Sequence, residues 1–511
     1  MNIVLATAPL IVAIIMLAVL QQSGLRAGLA TLATVVVITL LASSFRLPPV
    51  AMGLAAANGA GTSLTVLTVL FPALLLYQLQ NITDHIAILA QGVTRLCPDR
   101  DVQLVLLVLG LSPFIEAVSG FGVGTVVVIP MLLALGLDSV QSAILGLLGQ
   151  IAVPWGGLAV GITLGADLTG LNAGTLGAYT ALLTALLPIG FGLVALMIGS
   201  GKGAVRRLWP VVLVASLVLV AGEWLFSQVP GVELAGAFAG VPVIVLLSLW
   251  GHLTNRQSQR TIRQSDVAPI VAAEQTISQE KEEPSSSRLW LAVAPYAILI
   301  VCLLITRLIV PLQHWLQNNV ILTIPSINLR FQLLYNPGFY VFLAALAAIF
   351  LLQAGKDGAR LAFVQTVKQF TPGALAIVSF LAASQMMSAN GMITVLGGAA
   401  AALGSGYSWI APWLGALGGW LTGSNAGSNA MFAQLQYETS LRAGLPVNWL
   451  MASQNGAASI ATMVSPARIV LATTTTGTVG KEGLLLRKIG PLVLISVLLI
   501  ALLLFAIVQV S

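Results

Sequence analysis

Charged side chains are scarce in this sequence. Only 7% of the 511 residues are Asp, Glu, Lys or Arg, whereas a soluble domain carries about 25%. A water-exposed surface cannot be built from so few charges, and 58% of the residues are hydrophobic. The 22 Lys and Arg against 16 Asp and Glu give a net charge of +6, which is spread too thinly for a nucleic-acid-binding face. The composition predicts a polytopic membrane protein and excludes a nucleic-acid partner.

Cysteine and histidine are also rare. The two cysteines, Cys97 and Cys302, lie far apart in the chain, which predicts neither a disulfide nor a metal site. The three histidines, His85, His252 and His314, are dispersed and form no metal-binding pattern. The apolar runs contain no Ser-His, Asp-Asp or His-Glu pair that would suit catalysis. We therefore expect no metal, no cofactor and no enzymatic activity.

Hydrophobic runs of about 20 residues, the length that crosses a bilayer core, recur along the whole chain. Two other apolar stretches, 102–136 and 408–438, are interrupted by Gly, Ser, Pro and Asn, which indicates re-entrant hairpins that enter and leave on one side. The expected fold class is an all-α polytopic membrane protein with about twelve transmembrane helices plus these two hairpins. The predicted crossings are 3–20, 27–44, 59–79, 142–166, 177–199, 209–226, 235–250, 290–311, 336–353, 372–388, 447–475 and 488–509.

The positive charges are distributed unevenly between the loops. When the N-terminus is placed outside, 17 of the 22 Lys and Arg residues fall on the inner side, in agreement with the positive-inside rule. Making either broken stretch a true crossing would invert the loops that follow it and remove this asymmetry. The charge pattern therefore favours the hairpin interpretation and predicts that both termini face out.

The same order of segments occurs on both sides of a polar segment, 251–288, which we interpret as a flexible cytoplasmic linker. Each half has a crossing, a short lateral segment, a broken hairpin, an interrupted crossing and a final long crossing. The two series start on opposite sides of the membrane, so the repeats are inverted, and paired interrupted segments indicate a transporter's binding site. The predicted divisions are N-terminal helices at 1–58, a first inverted repeat at 59–199, two helices at 200–250, the linker, connecting helices at 289–371 and a second inverted repeat at 372–511.

The broken segments carry the candidate substrate-binding residues. Non-helical backbone at membrane depth persists only where it is buried in protein or lines a cavity, and half-helix N-termini in such a cavity suit a carboxylate. The alternative is that Gly and Ser here only let helices pack closely. The substrate-binding candidates are Ser112, Ser119, Gly120, Ser424, Asn425, Ser428, Asn429, Ser465 and Arg468.

Two charged residues at membrane depth are not explained by topology. An unpaired carboxylate there is costly, so Glu116 should be protonated, paired or hydrated, and it is the candidate proton-coupling residue. The alternative is a structural role, in which backbone N–H groups of its own hairpin bind the carboxylate. Arg468 is expected to meet a substrate carboxylate, to pair with Glu116 or Glu438, or to extend to an interface. Glu223 and Glu233 flank an outer turn and are expected at the surface.

Three spaced motifs resemble the L-lactate permease family. They are Phe114-Ile-Glu-Ala-Val-Ser-Gly-Phe-Gly122, the run from Thr422 to Gln436, and the segment from Asn455 through Met463-Val-Ser-Pro466. The resemblance covers most of the chain, in the family's order. It implies secondary transport of lactate, glycolate or a related 2-hydroxymonocarboxylate by proton symport, in the cytoplasmic (inner) cell membrane.

The chain departs from the family mainly in one motif. Where the family has Gly-Lys-Met-Ile-Ser-Pro-Gln-Ser, this chain has Ala461-Thr-Met-Val-Ser-Pro-Ala-Arg468, so a substrate other than lactate is an open alternative. A sodium-coupled transporter of another small organic anion is the second hypothesis, because Ser and Asn side chains with broken-helix carbonyls also suit Na⁺. The sequence leaves the oligomeric state open, with a homodimer as one alternative.

Overall fold

The chain forms a bundle of membrane-length helices. The computed structural model describes residues 2–20, 22–86, 88–89, 92, 97, 99–120, 122–264, 286–327 and 329–510. Within these ranges, eleven helical segments are long and apolar enough to cross a membrane, or up to thirteen if each of two bent helix pairs forms one span. The predicted fold class, with about twelve spans and two re-entrant hairpins in two inverted repeats, is confirmed.

The N-terminal helices lead into the first long helix of the bundle. Helix α1 (Asn2–Ile14) is followed by α2 (Gly24–Leu41) and then by α3 (Pro49–Ile82). Helix α3 begins about ten residues before the predicted crossing, because Pro49 occupies the first helical turn, where its missing N–H is not needed. The division predicted at residue 58 therefore falls inside α3.

The first re-entrant hairpin follows α3. Its entering arm contains α4 (Arg100–Val105), a π-helical segment and α5 (Ser112–Ser119), and its returning arm is α6 (Val123–Ala134). The Arg100 Nε donates a hydrogen bond to the Leu135 carbonyl at 3.0 Å, so the two ends of the hairpin lie on the same side.

The interrupted crossing of the first repeat comes next. It consists of α7 (Ser139–Leu148), a 3-10 turn (Gly149–Trp155) and α8 (Gly156–Thr169). Pro154 lies in the turn and cannot donate a backbone hydrogen bond to a continuous helix. Helices α9 (Ala173–Leu183) and α10 (Leu187–Gly199) complete the repeat as a pair bent by 49°.

The region between the repeats differs from the prediction in two places. Helices α11 (Lys202–Phe226) and α12 (Val232–Gln264) pack together, and α12 extends into the predicted linker at 251–288. That prediction is wrong up to Gln264, because Gln and Arg are good helix formers even without apolar periodicity. Residues 265–285 of the predicted linker lie outside the described residues.

The connecting region contains helices and one short β-hairpin. Its helices are α13 (Ser286–Leu308), α14 (Val310–Asn318) and α15 (Pro337–Leu351). Between α14 and α15, β1 (Ile321–Ile324) pairs antiparallel with β2 (Leu329–Gln332). The prediction of helices alone at 289–371 is wrong here, because β1 is rich in Ile and Thr, which favour strands.

The second repeat also has a first crossing, a hairpin, an interrupted crossing and a final crossing, with α17 as its lateral segment. Much of the corresponding lateral segment of the first repeat lies outside the described residues. The bounds of the second repeat's elements are α16 (Gly355–Ala389), α17 (Met392–Ala401), the hairpin arms α18 (Tyr407–Thr422) and α19 (Asn425–Arg442), the interrupted crossing α20 (Val447–Thr462) and α21 (Pro466–Thr475), and α22 (Glu482–Val510). The start of α16 at Gly355 corrects the division predicted at residue 372. The Tyr407 hydroxyl donates to Gln436 Oε1 at 2.7 Å and joins the outer ends of the second hairpin's two arms.

The first helices of the two repeats, α3 and α16, pack directly against each other. A Cβ atom at Gly59 would lie 2.5 Å from the backbone of Leu381 and Ala382, so glycine permits this close crossing. The hairpin tips and the two broken crossings meet beside these helices.

Candidate functional site

A small cavity lies where the broken elements of the two repeats meet. Its volume is about 40 Å³, which accommodates a few water molecules at most. We call it the central cavity. Its lining residues come from α3, both hairpins and both interrupted crossings, and they are Leu70, Ala73, Glu116, Gly120, Val153, Gly156, Gly157, Val160, Gly161, Ser424, Asn425, Ala426 and Arg468.

A larger cavity of about 380 Å³ adjoins the central cavity. The two cavities share Leu70, Ser424 and Arg468 in their linings. The larger cavity also reaches the start of α2 at Gly24 and the middle of α16 at Gly373. We call it the vestibule, because it connects the shared residues with a wider space.

Helix N-termini converge on the central cavity. Helix α6 begins after Gly122, α19 begins after Ser424, and α21 begins after Ser465, which is three residues before Arg468. First-turn N–H groups have no partner within their own helix and carry partial positive charge. The centre of the fold is therefore suited to negative charge.

The backbone of the first hairpin binds the carboxyl group of Glu116. Its side chain is 1% exposed. Both carboxylate oxygens accept hydrogen bonds from the Gly122 N–H at 3.0 Å, and Oε2 also accepts one from the Gly124 N–H at 3.4 Å. These are the contacts described by the alternative prediction, in which the hairpin's own backbone binds Glu116. They leave room for one further donor, which comes from the other repeat.

Arg468 supplies that donor. Its Nη2 lies 3.4 Å from Glu116 Oε1, although the two residues are 352 positions apart in the chain. The Arg468 side chain is 7% exposed, so it does not extend to an interface, and its Nη1 has no hydrogen-bond partner within the described part of the chain. Glu438, the other predicted partner, pairs with Arg442 instead. One terminal nitrogen of the guanidinium, Nη2, therefore contacts Glu116, and the other, Nη1, is free to bind a ligand.

The left-handed backbone at Gly122 makes this contact possible. Gly122 has φ +82°, and a Cβ atom there would collide with Arg468 Nη1. Gly120, with φ +72°, packs against Gly157, and a Cβ atom at Gly120 would come within 3.1 Å of the Gly157 backbone. Both glycines are thus needed at the tip of the first hairpin for conformation and for space.

The second hairpin carries a buried polar network. The Asn429 Nδ2 donates to the Gly161 carbonyl at 2.8 Å and to Asn455 Oδ1 at 2.7 Å. The Gln454 Nε2 donates to the Ser428 hydroxyl at 3.0 Å, and that hydroxyl donates to the Gly415 carbonyl. The network ties α19 to α20 and, through Gly161, to the first repeat.

The predicted site residues divide into two groups. Those that line the central cavity are Glu116, Gly120, Ser424, Asn425 and Arg468. The other five are not part of its lining. Ser119 donates to the Ile115 carbonyl, Ser428 and Asn429 belong to the polar network, and Ser465 caps α21 by accepting from the Arg468 N–H. The Ser112 hydroxyl has no partner among the residues described.

Sequence reasoning missed several residues that build the site. Asn455 stands out in the sequence only as part of a motif, and Gly161 gives no signal because it lies in the apolar stretch that follows the break at Pro154. Glu223 was expected at the surface but is 3% exposed, and its Oε1 has no partner among the described residues. Glu233 pairs with Arg307 at 3.2 Å. Burial of Glu223 depends on which face of α11 meets α12, and local sequence does not specify that.

Comparison with known proteins identifies related transporters. The profile of the L-lactate permease family matches residues 2–511. The glycolate permease GlcA of Escherichia coli strain K12 is 28% identical, over 94% of this chain and 91% of its own length. The L-lactate permease of Bacillus subtilis strain 168 is 24% identical with the same coverage, and that of Salmonella typhimurium is 25% identical over 82% of this chain and 80% of its own length.

Two solved membrane-transporter structures show distant similarity. Neisseria gonorrhoeae MtrF, described as an example of a class of antimetabolite efflux pumps, has a TM-score of 0.46 and 13% identity, with 94% of each chain covered. The Alcanivorax borkumensis YdaH transporter has a TM-score of 0.36 and 16% identity, with 83% of this chain and 87% of that chain covered. On the match of the family profile to residues 2–511, this chain belongs to the L-lactate permease family.

Proposed function

We propose that this protein is a secondary active symporter that carries a small 2-hydroxymonocarboxylate, such as lactate or glycolate, together with a proton. Glu116 is the proton site and Arg468 binds the substrate carboxylate. The names of the related glycolate and lactate permeases support the substrate class. The observation that carries the mechanism is the guanidinium of Arg468, a residue that lines the central cavity. Its Nη2 contacts Glu116, and its Nη1 is buried without a partner in the ranges that the structure describes.

Charge balance in the central cavity provides the coupling. Glu116 and Arg468 are the ionisable residues of its lining, and their charges cancel when both are ionised. A substrate anion would add one uncompensated negative charge at a site of low dielectric constant, where it is costly. A proton on Glu116 removes that excess, so anion and proton bind favourably together.

The same balance explains why neither ligand moves alone. When Glu116 is protonated, Arg468 loses its ionic partner and both Nη atoms are available to the substrate carboxylate, in the bidentate arrangement that arginine favours. When the substrate leaves, the unpaired guanidinium favours the ionised form of Glu116, and the proton leaves as well. The pair then re-forms and neutralises the empty site.

We further propose the sidedness that the charge distribution predicts, with the protein in the cytoplasmic membrane and both termini outside. The vestibule reaches Gly24 and Gln369, which are close in sequence to Arg26 and Lys368 in predicted inner loops. In this topology the vestibule opens toward the cytoplasm. A cytoplasmic linker after Gln264 stays a prediction, as do a homodimer and the domain divisions that the helix bounds leave unchanged.

A substrate panel in proteoliposomes tests the proposed function. Uptake of lactate, glycolate and other small anions is measured with a proton gradient and a sodium gradient imposed separately, and with sodium replaced by choline. We expect saturable accumulation of 2-hydroxy acids under an inward proton gradient, unchanged in choline. Accumulation that requires sodium, or uptake that is independent of both gradients, would contradict the proposal.

A further inference from the structure

Three buried asparagines form a connected group beside the central cavity. They are Asn425 and Asn429 on α19, one helical turn apart, and Asn455 on α20. Asn455 Oδ1 accepts a hydrogen bond from Asn429 Nδ2 at 2.7 Å and from Asn425 Nδ2 at 3.4 Å. Three of their polar atoms have no partner among the described residues: Oδ1 of Asn425, Oδ1 of Asn429 and Nδ2 of Asn455. Buried polar atoms without a protein partner are unusual, and they are candidates for binding a ligand.

The orientation of all three amides follows from one backbone carbonyl. The Gly161 carbonyl can only accept, so the Asn429 atom that lies 2.8 Å from it must be the donor Nδ2. The same Nδ2 also meets Asn455, whose facing atom must therefore be the acceptor Oδ1. Asn425 then has to direct its own donor, Nδ2, toward that oxygen. The orientation is thus set by hydrogen bonding to a group that cannot reverse its role.

This chain of constraints leaves Asn425 with a free acceptor. Of the three asparagines, Asn425 is the one that lines the central cavity, and its Nδ2 donates one of its two N–H groups to Asn455 Oδ1. The Oδ1 of Asn425 is buried and unpartnered. Arg468 belongs to the same lining, and its Nη1 is a buried donor without a partner among the described residues. The residues that line the cavity therefore include a free donor on Arg468 and a free acceptor on Asn425, and Val153 and Val160 form part of its apolar wall.

A 2-hydroxymonocarboxylate is complementary to this pair of groups. Its carboxylate accepts hydrogen bonds and its hydroxyl group donates one. We infer that Asn425 Oδ1 binds the substrate's 2-hydroxyl group as a hydrogen-bond acceptor, and that Asn455 is a positioning residue that keeps this oxygen toward the cavity. This inference rests on the proposed function and adds the residue that selects 2-hydroxy acids over 2-keto and unsubstituted acids.

The selection has a physical reason. A 2-keto acid places an acceptor against Asn425 Oδ1, and an unsubstituted acid places a C–H bond there, so in both cases the amide oxygen stays buried without a partner. Sites that hydrogen-bond a substrate hydroxyl reject analogues that lack it for this reason. We expect lactate to compete at a concentration at least about tenfold lower than either pyruvate or propionate.

The test is competition against labelled lactate in proteoliposomes at one fixed pH. Lactate, pyruvate and propionate are compared in the wild type, in Asn425→Ala and in Asn455→Ala, and glycolate with acetate forms a second pair without the methyl group. In Asn425→Ala we expect the lactate preference over propionate to fall to about one, with propionate inhibition unchanged. In Asn455→Ala the released Asn425 amide can turn its nitrogen toward a ketone, so pyruvate should gain relative to lactate. Asn448→Ala, at the far end of α20, is the matched control and should keep the wild-type ratios.

Three outcomes are distinguishable. If the wild type transports no 2-hydroxy acid, the proposed function fails before the role of Asn425 is reached. If lactate is transported but the wild type does not prefer it to propionate, or if Asn425→Ala weakens all acids by one common factor, the role assigned to Asn425 is overturned. If Asn425→Ala does not fold, Asn425→Ser replaces it: its shorter hydroxyl should lower the lactate preference, and an unchanged preference would contradict the inference.

Discussion

The substitution Glu116→Gln separates substrate binding from proton coupling. Gln has nearly the same shape as a protonated Glu, and its Oε1 can still accept from the Gly122 N–H that both oxygens of Glu116 now share. It carries no charge at any pH, so Arg468 has no ionic partner in the variant. The central cavity is then permanently in the state that we assign to the protonated protein.

The size of the effect follows from the geometry of the pair. A substrate carboxylate bound to Arg468 would lie roughly 4 to 6 Å from the Glu116 carboxylate, since Arg468 Nη2 and Glu116 Oε1 are 3.4 Å apart. At an effective dielectric constant of about 20, two negative charges at that separation repel by about 3 to 4 kcal/mol. This corresponds to a factor of about 10² to 10³ in affinity. The wild type should therefore bind substrate that much more tightly when Glu116 is protonated, and by linkage the substrate favours the proton equally.

Two assays measure this coupling. Lactate affinity of the purified protein, determined between pH 5 and pH 8, should weaken by up to tenfold per pH unit in the wild type and should be independent of pH in Glu116→Gln. In proteoliposomes, the variant should exchange internal for external lactate but should not accumulate it under a proton gradient. Glu438→Gln is the matched control, because Glu438 is paired with Arg442 and partly exposed, and it should behave as the wild type.

The result that would refute this reasoning is specific. If Glu116→Gln still accumulates lactate in response to a proton gradient, Glu116 is not the proton site. If the variant folds but its lactate affinity keeps the wild-type dependence on pH, another group supplies the coupling. Loss of both exchange and accumulation in a well-folded variant would instead assign Glu116 the structural role of holding its own hairpin.

Other predictions concern the Glu116–Arg468 pair, the tip of the first hairpin at Gly122, and Cys97. Arg468→Lys should lower lactate uptake at least about tenfold, because a single ammonium group cannot replace the two-armed guanidinium; uptake at wild-type rates would contradict this. Arg468→Ala should lower the free energy of unfolding by about 3 to 5 kcal/mol, since it leaves Glu116 buried without its partner. The double variant Glu116→Gln, Arg468→Ala should regain thermal stability but not uptake. Gly122→Ala should abolish uptake, because Gly122 has a left-handed backbone and the added Cβ would collide with Arg468 Nη1. Gly136→Ala is the control: Gly136 is also left-handed but has open space around it, so this variant should fold and transport. Burial raises the pKa of the Cys97 thiol to about 11, so only about one molecule in 10³ is a thiolate at pH 8. In a Cys302→Ala variant, which leaves Cys97 as the one cysteine of the sequence, maleimide labelling should be slow at pH 7 and should accelerate as the pH rises.

Most of the fold could be predicted because its signals are local. A bilayer requires long apolar helices with internally bonded backbones, so spans can be read from hydropathy alone. The breaks at Gly120, Pro154, Gly423 and Pro466 were predictable because Gly, Pro, Ser and Asn cluster at these points. Single prolines such as Pro72 and Pro210 lie inside continuous helices. Helix ends were less predictable: α3 and α16 extend beyond their apolar cores because small and polar residues continue a helix without a hydropathy signal.

The candidate site was only partly predictable. Scarcity of charge identified Glu116 and Arg468 without identifying them as partners, because three partners for Arg468 fitted the sequence equally well. The Ser and Asn residues of the second hairpin looked equivalent in sequence, yet Ser424 and Asn425 line the central cavity while Ser428 and Asn429 bond behind it. A helix turns by about 100° per residue, so neighbouring polar residues face different surroundings.

The sequence by itself determined that this chain lives in a membrane, that its two halves repeat in inverted order, and that the repeats are broken where polar residues cluster. These properties depend on residue type and spacing along one segment. The tertiary structure alone decided which broken segments touch. It placed Arg468 against Glu116 across 352 positions, and it let the Gly161 carbonyl orient an amide of the other repeat. Such contacts depend on how separate helices pack, and no periodicity within either helix encodes its partner.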